Sequence, residues 1–265
     1  MKIAAIQMVS GTDVERNIET AYQLLCEAKH SGASLAALPE YWPIMGRRDG
    51  DKLACAEEFG SGRLQAFLSQ TASELAMTIV AGTIPLKSPV VGKIYNTCLV
   101  FDAQGQVLGR YDKIHLFGFH QGEENYQESN TITPGDQVVC VDTKVGKIGL
   151  GICYDLRFPE LFRQMGACDC LILPAAFTYT TGQAHWEILL RARAIENQCY
   201  VLAAAQGGTH ENGRRTWGHS MLIDPWGKVS ECLDEGAGVI CAELDSAARA
   251  TIRDNLPALS HRKFT

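Results

Sequence analysis

A chain of 265 residues with 46% hydrophobic and 20% charged composition is long enough to bury a sizeable core and sits near the upper size of one domain. Its formal charge of −6, with basic residues clustered only at 47–48, 214–215 and 261–263, would repel a phosphate backbone and argues against nucleic acid as a partner. The opening MKIAAIQMVSGTDVERN turns polar by Gly11 and lacks an export pattern, no apolar run approaches the ~18 residues of a membrane helix, and the ten cysteines at mostly irregular spacings read as reduced thiols of a cytoplasmic protein.

Alternating apolar residues predict a first strand over 2–8, followed by an amphipathic helix over 14–32 that Gly32 closes in the C′ position. A strand at 33–39, a helix at 62–77 and strands at 78–84, 95–101 and 106–111 come next, the last two joined by the turn AQGQ. The segment 117–135 is the longest polar stretch without strong periodicity, and loops of that length are often functional. Beyond it the pattern predicts strands at 138–142 and 147–152, a helix at 156–166, a strand at 170–175, a helix at 184–198 and strands at 199–205, 219–224 and 238–244. Crossovers mix with hairpins, and the helices are too few to surround an eight-stranded barrel, so the expected fold is α/β, a four-layer α-β-β-α sandwich. The absence of a repeat or linker makes residues 1–265 one domain.

Within that pattern, Glu40, Lys113 and Cys153 each follow an apolar strand. The carboxyl ends of strands form the rim where α/β sheets bind ligands. Each has an ordinary alternative: a solvated turn for Glu40, a surface ammonium for Lys113, and apolar filler for Cys153. Together they supply the parts of one reaction, attack by sulfur on a carbonyl or nitrile carbon. Glu40 takes the thiol proton and later activates water, while Lys113, helped by the start of the following helix, favours the thiolate and then neutralises the developing oxyanion. The backbone N–H of Tyr154 is a second oxyanion donor. A Cys-His protease arrangement is a further alternative, because His115 and His120 flank the long polar stretch. The pair Cys168 and Cys170 lacks the partner pair of a zinc site, so no metal is expected.

The blocks LPEYW (38–42), GRYDKIHLF (109–117) and GICYDLRFPEL (151–161) resemble, in order and separation, the three catalytic blocks of the nitrilase, or carbon-nitrogen hydrolase, superfamily. The likeness extends from KIAAIQM to the terminal LPALSHRKF. It implies Glu40 as general base, Lys113 as transition-state stabiliser and Cys153 as nucleophile, with no cofactor. YQESNTITPG (126–135) resembles the block carrying a second glutamate, which implies Glu128 for that role, with Glu123 and Glu124 close by as alternatives. CYDLRFPEL, AAFTYTTGQAHWEILLRARAIENQCYVLAAAQ (175–206) and WGHSMLIDPWG (217–227) are similar to the small amidase branch. The implied substrate is deaminated glutathione, cleaved to 2-oxoglutarate and cysteinylglycine, with 2-oxoglutaramate as the alternative. Tyr154, Phe177 and Thr178 are candidate substrate-binding residues from their places after the nucleophile and at the end of the next strand. Trp186 is expected to pack in the core, with His185 and Glu187 as candidate interface or site groups. The resemblance also implies a homodimer formed through helices such as 156–166 and the HWE helix. An inactive scaffold of the same fold, and acyl transfer to another amine, stay open as alternatives.

Overall fold

The architecture follows from alternation along the first strands. In the computed structural model, which describes residues 1–121 and 124–264, the chain forms β1 (Lys2–Gln7), α1 (Val14–His30), β2 (Leu35–Ala37), α2 (Asp51–Ala54), α3 (Arg63–Glu74), β3 (Thr78–Val80), β4 (Ile84–Lys87), β5 (Ile94–Phe101) and β6 (Val107–Asp112). A hairpin of β7 (Gly118–Gln121) and β8 (Glu124–Gln127) precedes β9 (Cys140–Thr143), β10 (Gly146–Leu150), α4 (Pro159–Gln164), β11 (Cys170–Ala175), α5 (Tyr179–Asn197) and β12 (Tyr200–Ala205). The chain then forms β13 (Gly207–Thr209), β14 (Arg215–Trp217), β15 (Met221–Ile223), β16 (Val229–Cys232), β17 (Gly238–Glu243) and α6 (Ser246–Asn255).

One sheet runs β17-β1-β2-β3-β5-β4 with β6 also on β5, and the other runs β16-β15-β12-β11-β10-β9. Ile3, Ala5, Leu35, Ala37, Val80 and Val100 belong to the core shared with the second sheet. Their neighbours Ala4, Ile6, Ala36, Leu38, Ile79 and Leu99 pack instead with Ala21 and Leu25 of α1 and Leu68 and Ala72 of α3. Side chains one residue apart on a strand point to opposite faces, so this alternation builds two cores from one sheet. Phe162 of α4 and Trp186, Leu190 and Ala194 of α5 cover the second sheet. The four-layer sandwich is therefore as expected, and Trp186 is a core residue, 1% exposed, with its Nε1–H donated to the His219 carbonyl.

Strands β1, β2 and β3 are parallel, as are β10, β11 and β12. The two groups meet at their carboxyl ends, where the Met8 N–H bonds the Ala205 carbonyl at 3.3 Å and the Gly207 N–H bonds the Met8 carbonyl at 2.9 Å. The rims carrying Glu40 and Cys153 are thereby brought to one place.

Several elements differ from the sequence expectation. The strand expected over 78–84 divides at Gly82, whose φ is +58° and where a Cβ would sit 2.1 Å from the Pro39 carbonyl oxygen. Only glycine permits that approach, which holds the chain just ahead of Glu40. The helix expected from 184 begins at Tyr179, because Gly182 lets it lie against Trp217, where a Cβ would meet the indole side chain at 2.3 Å. The helix expected from 156 begins at Pro159 after a 3-10 turn over Cys153–Arg157. The polar stretch 117–135 contains the β7–β8 hairpin and a 3-10 turn at Glu128–Asn130. Helix α6 has no buried residue, so no apolar stripe marks it. Its Asp245 cap, accepting from Ala247 N and Ala248 N at 2.9 Å, is the signal that was available.

One buried carboxylate ties the sheets together beneath Cys153. Asp155 accepts from the Tyr111 hydroxyl (2.7 Å), the His115 N–H (3.0 Å), His115 Nδ1 (2.7 Å) and the Ile152 N–H (2.8 Å). A carboxylate only accepts, so His115 carries its proton on Nδ1 and serves the turn rather than the cysteine. Asp155→Ala would leave these donors short of their partner, and chemical denaturation is expected to find a loss of at least about 3 kcal/mol. A loss below about 1 kcal/mol would show that the clamp does not hold the turn.

Candidate active site

Glu40 follows β2, is 1% exposed, and is held from both sheets. Oε1 accepts from Asn96 Nδ2 of β5 at 2.9 Å and from Lys113 Nζ at 2.8 Å, and Oε2 accepts from the Ala176 N–H, just past β11, at 2.8 Å. Lys113 follows β6 and is wholly buried. Its backbone is fixed on both sides, by the Asn96 carbonyl at 3.0 Å and the Gly135 N–H at 2.9 Å.

Glu128 closes the ammonium's other side, 2.9 Å from Nζ through Oε2 and 3.0 Å through Oε1. It opens the 3-10 turn after β8 and is clamped to the residue that leads into β7: the Phe117 N–H donates to Oε2 at 2.8 Å, while the Glu128 N–H donates to the Phe117 carbonyl at 3.0 Å. The Tyr41 hydroxyl donates to Oε1 at 2.7 Å. Among the candidate glutamates, Glu128 is the one seen in contact with Lys113. Glu123 lies outside the described residues, as does the side chain of Glu124.

Cys153 ends the run from β10 with φ +48°, a left-handed conformation uncommon for a residue with a Cβ, and Tyr41 beside Glu40 has φ +55°. The Asp155 N–H pairs with the Ile152 carbonyl at 3.0 Å, so the Tyr154 N–H lies in the first turn ahead of it. Cys153, Tyr154, Phe177 and Thr178 line one cavity with Phe117, Ala176 and Thr181. Its free volume of ≈ 10 Å³ is room for about one water. The other sequence candidates lie apart: His120 and His185 are exposed, His185 facing the Arg157 guanidinium at 3.3 Å.

Charge in the cluster is unevenly balanced. Burial would lower the Lys113 pKa, but the Glu128 and Glu40 carboxylates outweigh it and hold the ammonium well above the usual lysine range. Burial likewise works to protonate Glu128, and Lys113, the Phe117 N–H and the Tyr41 hydroxyl reverse it, leaving Glu128 below the usual carboxylate range. Burial, then the Glu40 and Glu128 charges, push Tyr41 well above the ordinary phenol and keep it a donor. At Cys153 burial and Glu40 win over Lys113 and the Ala176 N–H, raising the thiol well above the ordinary cysteine value. The balance of these causes favours the neutral thiol at Cys153 over the thiolate. The sequence expectation paired a base, Glu40, with the cation and the helix start; burial among carboxylates acts against the last two and leaves the proton for a base to take.

Asn96, Tyr41, the Ala176 and Phe117 amides, and Asp155 were not anticipated. An asparagine inside the apolar run IYNTCLVF and an aspartate two residues after the cysteine were the signals available. Among the described residues, no group of three or more His, Cys, Asp or Glu side chains is arranged to hold a metal ion.

Residues 2–254 match the family model described as carbon-nitrogen hydrolase. The chain is 41% identical to a Synechocystis protein named deaminated glutathione amidase, with 98% of this chain and 97% of the relative covered. Its fold superposes on the C. elegans NitFhit protein with a TM-score of 0.92 at 37% identity, covering 100% of this chain and 66% of that longer one. Against Saccharomyces cerevisiae Nit3, a member of branch 10 of the nitrilase superfamily, the TM-score is 0.90 at 32% identity, with 100% and 97% covered. A near-complete family match, together with cysteine, lysine and glutamates on the rims of two joined sheets, leads to one conclusion: the chain belongs to the carbon-nitrogen hydrolase family.

Proposed function

We propose that this amidase cleaves the γ-amide bond of deaminated glutathione through a Cys153 thioester, releasing cysteinylglycine and then 2-oxoglutarate. The observation that carries the mechanism is the buried Lys113 ammonium fixed between Glu40 and Glu128 on the rim that bears Cys153. The name of the Synechocystis relative supports the substrate. Glu40 accepts the thiol proton as sulfur attacks the amide carbonyl, and the oxyanion is met by Lys113 Nζ and the Tyr154 N–H. Glu128 orients Lys113 and accepts from the amide N–H. Collapse breaks the C–N bond and expels the amine, which takes the proton held by Glu40. Water, deprotonated by Glu40, attacks the thioester, and sulfur leaves with that proton as the acid is released. Tyr154, Phe177 and Thr178 wall the acyl group.

The test is release of 2-oxoglutarate from deaminated glutathione and, separately, from 2-oxoglutaramate. Activity lost in Cys153→Ala with preference for deaminated glutathione is expected. Preference for 2-oxoglutaramate would make this an ω-amidase, turnover by folded Cys153→Ala would overturn the mechanism, and a folded parent inert on all amides would favour a scaffold. Lys113→Met is also expected to be inactive, and by stranding two buried carboxylates it costs about 3–5 kcal/mol of stability, a penalty that Cys153→Ala avoids.

A neutral resting thiol has its own signature. Because the Cys153 pKa is raised, the protonated form persists to higher pH than for a free cysteine. The difference in thiolate absorbance between the protein and Cys153→Ala is expected to stay flat from neutral pH to about 8.5. A step in the neutral range would establish a poised thiolate.

The cytoplasmic setting rests on ten cysteines without a disulfide. No helix among the described residues is long and apolar enough to cross a membrane. For the homodimer, support comes from the outer side of α5, where Ile188 is 67% and Ile195 50% exposed near Trp226 at 65%. Sedimentation velocity is expected to give a dimer that Ile188→Glu weakens. A monomeric parent would overturn this.

A further inference from the structure

Two cysteines far from the nucleophile in space and in role meet on the outer side of the second sheet. Cys140 of β9 and Cys168, in the turn between α4 and β11, place their sulfurs 3.5 Å apart. Both sulfurs also lie against the Met165 carbonyl, at 3.5 Å from Cys140 and 3.9 Å from Cys168. Cys140 stands directly opposite Gly149 of β10. A Cβ on Gly149 would sit 2.7 Å from the Met165 sulfur and 3.1 Å from the Cys168 sulfur, so the missing side chain is the space in which the thiols meet. Sequence spacing sets Cys168 beside Cys170, whereas the fold gives it a partner from another strand.

The two thiols are unequally open. Cys168 is 1% exposed, while Cys140 is half-buried beside the exposed Val138. The Cys168 thiol beside Cys140 brings that cysteine down to about 7 against the effect of burial, with Lys147 helping, and the same contact raises Cys168. A thiol with a pKa near the ambient pH is the best attacking group in disulfide exchange. Cys153 is shifted the opposite way, by burial and Glu40. Strand β9 ends its sheet, paired within it only with β10. An edge strand held on one side can supply the approach of about 1.5 Å that a sulfur–sulfur bond needs.

We propose that Cys140 and Cys168 are a thiol-modification site, which exchanges with a low-molecular-weight disulfide to form a reversible internal disulfide. Cys140 is the attacking thiol and Cys168 the resolving one. The Cys140 thiolate attacks one sulfur of the small disulfide; that bond breaks as the mixed disulfide forms, and one small thiolate leaves and takes up a proton. The Cys168 thiol then gives up its proton and attacks the Cys140 sulfur, and the second small thiol departs. Two protein thiols are oxidised and one small disulfide is reduced to two thiols. The bond closes a loop over residues 140–168 that contains β10, the Cys153 turn and α4. Nothing in this step depends on which amide the enzyme cleaves.

In the test, the reduced full-length protein is incubated with glutathione disulfide at neutral pH, quenched in acid, alkylated, and mapped by mass spectrometry without reduction. Cys153→Ala is treated in parallel, so that reaction at the nucleophile is read separately. The expected product is a cross-link between the Cys140 and Cys168 peptides, a mass lower by about 2 Da with no glutathione retained at either residue, and recovery of both thiols with dithiothreitol. Cys168→Ser is expected to stop at glutathione held on Cys140, and Cys140→Ser to slow the loss of the Cys168 thiol by about tenfold or more. Glutathione persisting on Cys140 in the parent, a cross-link from Cys168 to Cys170 or Cys199 instead, or both thiols still open to alkylation would each overturn the proposal. If either serine variant fails to fold by circular dichroism, the map of the parent decides: the Cys140–Cys168 link sustains the site, and its absence overturns it.

Discussion

The structure depends on one buried ammonium. Lys113, with no exposed surface, sits 2.8 Å from Glu40 and 2.9 Å from Glu128. Taking such ions out of water costs several kcal/mol each, and attraction offsets that only where geometry is good and the remaining lone pairs are satisfied. Much of the surrounding fold supplies those conditions. Asn96 and the Ala176 N–H complete Glu40, while the Phe117 N–H and Tyr41 complete Glu128. The donors to Glu40 come from different sheets, so closing the sandwich and assembling the charge cluster are one event.

Two carboxylates stand against one ammonium in the cluster, and after burial itself this is what acts most on Cys153. A Cys153 thiolate would add another negative charge in a buried place, and burial and the Glu40 charge push its thiol pKa up. The left-handed backbone at Cys153 and the Asp155 clamp under it hold the side chain on the rim while it waits.

Much was legible in the sequence because it is local. Alternation in KIAAIQM and ASLAALP marked strands with two apolar faces, Gly32 closed α1 as a C′ glycine, with φ +86°, and the order of three short blocks pointed to Glu40, Lys113 and Cys153. What escaped depends on contacts between distant segments. Helix α6 has no fully buried residue and packs through the partly buried Arg249, Ile252 and Arg253, so hydrophobic pattern says little about it, and the split at Gly82 is set by the Pro39 carbonyl rather than by any neighbour in sequence. The choice of Glu128, the role of Asn96 and the retreat of His115 to Asp155 all required the sheets to close. The sequence by itself determined the sandwich and the chemical types at its rim, since periodicity and residue chemistry are properties of short segments. Only the tertiary structure decided the surroundings of the cysteine and which charges meet, because burial and Coulomb interaction depend on distances through space that a linear order does not contain.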